Sequence, residues 1–287
     1  MIRRNLIAVV AACGALAVGI ALGGGPLSDL GHAEPEPSSA PSQAPADVRA
    51  QATRGEDFAE AVAPGLLAGR LSGQRITVWA MPGADPATVT ALEDRVKAAG
   101  GVVGESVELR AAAVDPGRKT FADTLGRQLA KQFGSRVDSG LATYERLGQV
   151  IGATYAAHVR VGSSTAEQVT ASKTLVAGKL VKTGHDDGPG TLAVLVLGDH
   201  VDETVLTGFV SGLSRAVNGL VVTGDTASAG GDLAVLRHEK SQPAFGTVDG
   251  SDTTIGRVAT VLALARQTHQ RGGSFGAPGF GGIANSG

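Results

Sequence analysis

Cysteine occurs once in this chain of 287 residues and methionine only twice. Cys13 lies inside an apolar stretch near the N-terminus, so everything after it lacks a disulfide, a thiol nucleophile and a cysteine metal site. Soft Cu(I) asks for thiolate or thioether ligands, and Met1, Met81 and Cys13 build no such cage. Charge of one sign is lacking too. Lys and Arg number 25 against 27 Asp and Glu, they are spread along the chain, and no basic face suggests nucleic acid. Aromatic residues are only 3% whereas glycine alone supplies 42 positions. A codon bias toward Ala, Gly and Val explains part of that excess, which weakens any argument from small residues.

Several catalytic signatures are missing as well. The loop after the first expected strand reads Met81-Pro82-Gly83-Ala84-Asp85-Pro86, without the spaced glycines that let a backbone approach a pyrophosphate. The loop after the most apolar strand reads Gly198-Asp199-His200-Val201-Asp202, which is no Walker motif, and its acids would repel a phosphate. There is no GxSxG elbow. None of the six histidines pairs with another at i, i+4.

What is present begins with residues 5–28, 24 positions without a charge, preceded by Arg3 and Arg4. A backbone in hydrocarbon must satisfy its own hydrogen bonds, so this length and polarity predict a membrane-crossing helix. The positive-inside rule places the N-terminus in the cytoplasm and the remainder outside. Two alternatives stand beside an uncleaved anchor: a signal-peptide cleavage site at Gly31-His32-Ala33, and a faint lipoprotein-like Val10-Ala11-Ala12-Cys13. Gly19 and Gly23 form a small-xxx-small spacing that chance also supplies in so Gly-rich a segment.

The reading divides the chain into four parts: an N-terminus and transmembrane anchor over residues 1–28, a disordered Pro/Ala/Ser-rich linker over 29–55, an extracytoplasmic domain over 56–270 and a disordered Gly-rich tail over 271–287. In the linker Pro35, Pro37, Pro41 and Pro45 alternate with small polar residues, and such a spacer extends roughly 3 Å per residue. In the domain, strand and helix signals alternate. Residues 75–80, 102–109, 191–197, 220–223 and 233–236 are expected as strands. Helical spacing marks Val89, Leu92 and Val96; Phe121, Leu125, Leu129 and Phe133; Leu141 to Tyr155; Val169, Val176 and Leu180; Val205, Phe209, Leu213 and Val217; and Ile255, Val258, Leu262 and Ala265. A short helical approach carries Phe58 and Val62, with Pro64 breaking or restarting it. The seven-residue apolar run ending at Leu197 suits a strand covered on both faces. The expected fold is α/β: three layers around a mostly parallel, Rossmann-like sheet.

Candidate site residues are few. Asp199 and His200 follow the carboxyl end of the apolar strand, where α/β sheets place ligands, although either would also serve as a helix cap. Asp249 and Asp252 belong to the polar cluster over residues 247–254, where Asp249-Gly250 makes a turn and Asp252 or Thr253 caps the last helix. These four are the metal candidates. His158 falls on an apolar stripe, as a core histidine does, and His185-Asp186-Asp187 reads as a solvated turn.

Several stretches taken in order resemble one family. They are Val18 to Asp29 leaving the apolar segment, Phe58-Ala59-Glu60-Ala61-Val62-Ala63-Pro64, then Pro82-Gly83-Ala84-Asp85, and finally Thr247 to Thr253 leading into Gly256-Arg257-Val258-Ala259-Thr260-Val261-Leu262. Together they resemble the actinobacterial family of mycobacterial copper transport protein B. That resemblance implies a single-pass, membrane-anchored, non-enzymatic protein of copper efflux and homeostasis, with a channel role proposed for the family and copper entering by resemblance alone. It also admits a second role, since corynebacterial relatives regulate a peptidoglycan hydrolase in cell separation together with a membrane partner. No catalytic residue is implied. The expected partners are the bilayer, envelope proteins and a second copy of the chain. Family members carry a heptad coiled coil between anchor and domain, and residues 34–52 show no heptads, which leaves any contact made through it in doubt.

Overall fold

A computed structural model describes residues 46–157, 165–238 and 245–276. The expected anchor, most of the linker and His158 lie outside them. Among the described residues no helix is long and apolar enough to cross a membrane. In chain order the elements are α1 (Ala46–Leu67), β1 (Arg75–Ala80), α2 (Pro86–Ala98), β2 (Val102–Leu109), α3 (Ala111–Val114), α4 (Lys119–Phe133), α5 (Thr143–Tyr155), α6 (Thr165–Ala177), β3 (Val181–Asp186), β4 (Leu192–Val196), α7 (Glu203–Arg215), β5 (Gly219–Thr223), α8 (Asp232–His238), β6 (Gly246–Val248), α9 (Thr254–Arg266) and β7 (Gly273–Phe275).

The strands form one sheet in the order β3-β2-β1-β4-β5-β6-β7, parallel throughout except for the antiparallel edge strand β3. β4 sits at its centre with every residue buried. Side chains of a strand alternate between faces. Accordingly Leu192, Val194 and Val196 enter the core beneath α1, α2 and α9, while Ala193 and Leu195 enter the core beneath α4 to α8. The expected three-layer, mostly parallel sheet is what the described residues form.

Four local expectations need correction. Helix begins at Ala46, inside the expected linker, and runs unbroken through Pro64. Interior proline costs a helix about 3 kcal/mol or more. Here Ala59, Ala63 and Leu67, four residues apart on one face, bury against the sheet and hold that turn helical. Residues 233–236 are not a strand but lie in α8, because a four-residue apolar run does not distinguish the two periods; Leu233 and Leu236 bury at helical spacing. The tail contains β7, whose Phe275 is buried under the Arg266 guanidinium 5.4 Å from its ring centre. In α6 it is Ala171 and Leu175 that are buried, whereas Val169 and Val176 face solvent.

α5 and α7 cross with their backbones in contact. Gly148 and Gly152 on α5 meet Phe209, Leu213 and Ala216, and Gly212 on α7 meets Glu145 and Gln149. A methyl group on Gly212 would lie 2.7 Å from the Gln149 amide nitrogen and closer still to the Glu145 carbonyl.

At the end of α5 the Tyr155 hydroxyl meets Ser172 Oγ at 3.0 Å. Burial pushes its phenol up to about 12; the Ser172 bond opposes that rise and the charge of Glu105 adds to it. The folded value is raised above the ordinary 10.0, so the contribution is intact below that value and is lost as pH rises toward about 12. Unfolding in urea across that range should show an alkaline loss on the order of 3 kcal/mol, and Tyr155→Phe should flatten it. An equal alkaline loss in the variant would refute the assignment.

Candidate functional site

In open α/β sheets the crevice at a topological switch point receives the ligand. That point here lies between β1 and β4, from which the chain proceeds in opposite directions. Their carboxyl-end loops have closed on each other. Asp199 N donates to Pro82 O at 2.8 Å and Met81 N to Val196 O at 2.8 Å. Gly83, with φ of 77°, lies so close to the Asp199 carboxylate that any side chain there would overlap it, and Gly198 is as tightly seated on Pro82 O and Ala84 N. The neighbouring helix terminus is also filled. Asp85 accepts from Thr88 Oγ1 at 2.8 Å, Thr88 N at 3.0 Å and Ala87 N at 3.2 Å. These bonds, the Thr88 hydroxyl first, hold its carboxyl below the usual range. A helix N-terminus attracts anions, and at α2 the protein supplies its own.

Neither Asp199 nor His200 caps α7; Asp202 does, accepting from Val205 N at 3.1 Å. His200 instead turns toward the start of α8, where its Nδ1 lies 2.6 Å from Asp232 Oδ1. Asp232 is 7% exposed and its second oxygen accepts from Val201 N at 3.2 Å, while the His200 side chain is 79% exposed. With Nδ1 facing a carboxylate, the neutral imidazole carries its proton there, and Nε2 presents its lone pair to solvent. Sequence reasoning misses Asp232, which stands 32 positions away and precedes a run whose pattern suits a strand. No local pattern marks it.

Asp249 and Asp252 reach the same edge of the sheet, at the end of β6. The Asp249-Gly250 turn forms as expected, with φ of 81° at Gly250, and Thr253 is the cap of α9. Asp249 is buried against Arg237, whose Nη2 donates to Asp249 Oδ1 at 2.6 Å and to Phe275 O at 2.8 Å, while its Nε donates to Thr247 Oγ1 at 3.1 Å. Asp252 accepts from Thr226 N at 2.8 Å and from its hydroxyl at 3.0 Å. Asp249 is thus buried in an ion pair, whereas Asp252 is exposed and held by Thr226. His185 and Asp186 belong to β3, not to a turn. Among the described residues no three of His, Cys, Asp and Glu come together as a metal-holding group.

A family model described as "Copper transport outer membrane protein, MctB" matches residues 1–280, nearly the whole chain. The chain belongs to the MctB family. No match was found among curated proteins. The MctB description brings copper transport and the envelope to this fold. A membrane barrel is a closed sheet with an apolar outer band. The described MctB domain is an open sheet with helices on both faces. Its two apolar cores lie between the sheet and the helices on either face, and the His200 imidazole is exposed at the carboxyl edge.

Proposed function

We propose that this MctB-family chain is a non-enzymatic, single-pass envelope protein of copper homeostasis. Residues 5–28 cross the bilayer with the N-terminus in the cytoplasm, and the α/β domain lies outside. The observation that carries the copper reading is the His200–Asp232 pair. Imidazole suits Cu(II), and a carboxylate behind a ligating histidine fixes its ring and raises its basicity. A single exposed imidazole suits transient capture and hand-over of the ion, with Asp199 beside it in sequence. Loop packing at the switch point supports a non-enzymatic role, because the place where such sheets hold a substrate is occupied.

Copper titration of the purified chain tests this. His200→Ala should abolish the described domain's strongest Cu(II) response, and Asp232→Asn should weaken it by about tenfold, the size of a lost second-layer partner. Unchanged binding in both variants would remove the site. Unchanged copper sensitivity and cell copper content on gene deletion would remove the copper role itself.

A second reading is favoured by one surface feature. Phe58 on α1 and Ile255 on α9 are about half exposed, and α1 passes over Ile255 at Gly55. An apolar patch of this kind suits a protein partner, so the chain would act as an envelope scaffold or regulator of peptidoglycan hydrolysis in cell separation. Normal septation and normal hydrolase activity after deletion would exclude it.

A further inference from the structure

Away from the carboxyl edge, α4 and the loop entering α5 enclose a groove of about 540 Å³. One wall carries Asp123, Arg127 and Lys131 of α4; the other carries Ser139 and Thr143; Arg146 forms the floor. The groove is built rather than incidental. Arg146, whose side chain is 4% exposed, ties both walls together: its Nη1 donates to Ser139 O at 2.8 Å and Leu141 O at 2.5 Å, and its Nη2 to Asp123 Oδ1. The loop is fixed again where Asp138 N donates to Gln149 Oε1 at 3.0 Å and Gly140 N to Asp138 Oδ1 at 2.8 Å.

Its charges do not cancel. Three cations face one carboxylate, and that carboxylate is already saturated by the Thr143 hydroxyl at 3.1 Å, Arg127 at 2.8 Å and Arg146. Burial alone would raise the Asp123 carboxyl, but these partners, the Thr143 hydroxyl first among them, outweigh it and hold it below its usual range. Arg127 and Lys131, four residues apart, stand on one helix face. Arg127 gives one guanidinium nitrogen to Asp123, and Lys131 has no carboxylate partner among the described residues. The Ser139 hydroxyl on the facing wall is likewise without a partner there.

We propose that this groove binds an oxyanion, carboxylate or phosphate, on a hydroxyl-rich ligand, an acidic sugar unit being the class that fits. The volume falls within the range of small-ligand sites, about 300–1,000 Å³. A paired guanidinium and ammonium match an oxyanion, and the Ser139 hydroxyl matches a sugar hydroxyl.

Full-length protein titrated at low salt with glucuronate, inorganic phosphate and glucose, followed by NMR or calorimetry, tests it. Glucuronate should bind and glucose should not. The Arg127→Ala/Lys131→Ala double variant should bind at least about tenfold more weakly, as expected for losing charge-assisted bonds, and added salt should weaken the wild type. Both positions are exposed, so the unfolding curve of the variant should match the wild type and serves as the folding control. Phosphate binding without glucuronate binding would overturn the acidic-sugar assignment and leave a plain phosphate site. Glucose binding as tight as glucuronate, no binding of either anion, or full affinity in the double variant would overturn the proposal.

Discussion

Gly212→Ala should lower the stability of the domain by about 3 kcal/mol, the upper part of the range for overpacking a closed contact, and Gly212→Leu should leave no folded domain. The reason is geometric. At the α5–α7 crossing the methyl would meet backbone, the Glu145 carbonyl and the Gln149 amide, and neither can rotate away as a side chain would. Relief requires the helices to separate, which opens voids around Leu147, Ile151, Phe209 and Leu213, all fully buried. Gly65 supplies the control. It lies inside α1 with nothing within 4 Å of an added methyl, so Gly65→Ala should be neutral or stabilising by up to about 1 kcal/mol. Denaturant midpoints compare the two; equal effects at both positions would contradict the backbone contact.

Asp249→Asn should cost about 3–5 kcal/mol, the usual result of breaking a buried ion pair by removing one partner. Arg237 would keep a buried guanidinium, 10% exposed, with its main counter-charge gone. The bonds from Arg237 to Thr247 and to the Phe275 carbonyl join β6, β7 and α8, so the loss should loosen the β7 edge first. Hydrogen exchange at Ser274 and Phe275 reads this directly. The same variant separates structure from metal chemistry. Were Asp249 a copper ligand, the variant would lose its Cu(II) response while keeping its stability; the expected result is the reverse.

How much of this could be read in the sequence depended on which physical signal each segment carried. The run through Leu192–Val196 announced a doubly covered strand because both faces of β4 are buried, and from it the layer order and the location of the carboxyl edge followed. Short or polar edge elements carried no such signal. β3 holds Lys182, Thr183 and Gly184 exposed on the sheet's edge, and β6 and β7 are three residues each. α9 is a helix as its spacing predicts, but its buried face is rotated from the stripe through Ile255 and Val258: Val258, Val261, Ala263 and Leu264 are its buried apolar residues, and Ile255 is 54% exposed. Small residues at the α5–α7 crossing were hidden by the abundance of glycine elsewhere. The candidate residues reached the expected edge, yet their chemistry turned on partners distant in sequence. Asp232 for His200 and Arg237 for Asp249 come from α8, whose apolar run over 233–236 predicts a strand.

The way α1 is fastened has a mechanical consequence. Its grip on the sheet lies in the last turns, at Ala59, Ala63 and Leu67, with Glu56 accepting from Thr254 N at 2.6 Å and Glu60 paired to Arg95 nearer the middle. Tension arriving from the N-terminal side meets these attachments one after another instead of all at once. A pull from that side would load Glu56 and Glu60 before it reaches Ala63 and Leu67, the α1 residues that share a core with the sheet.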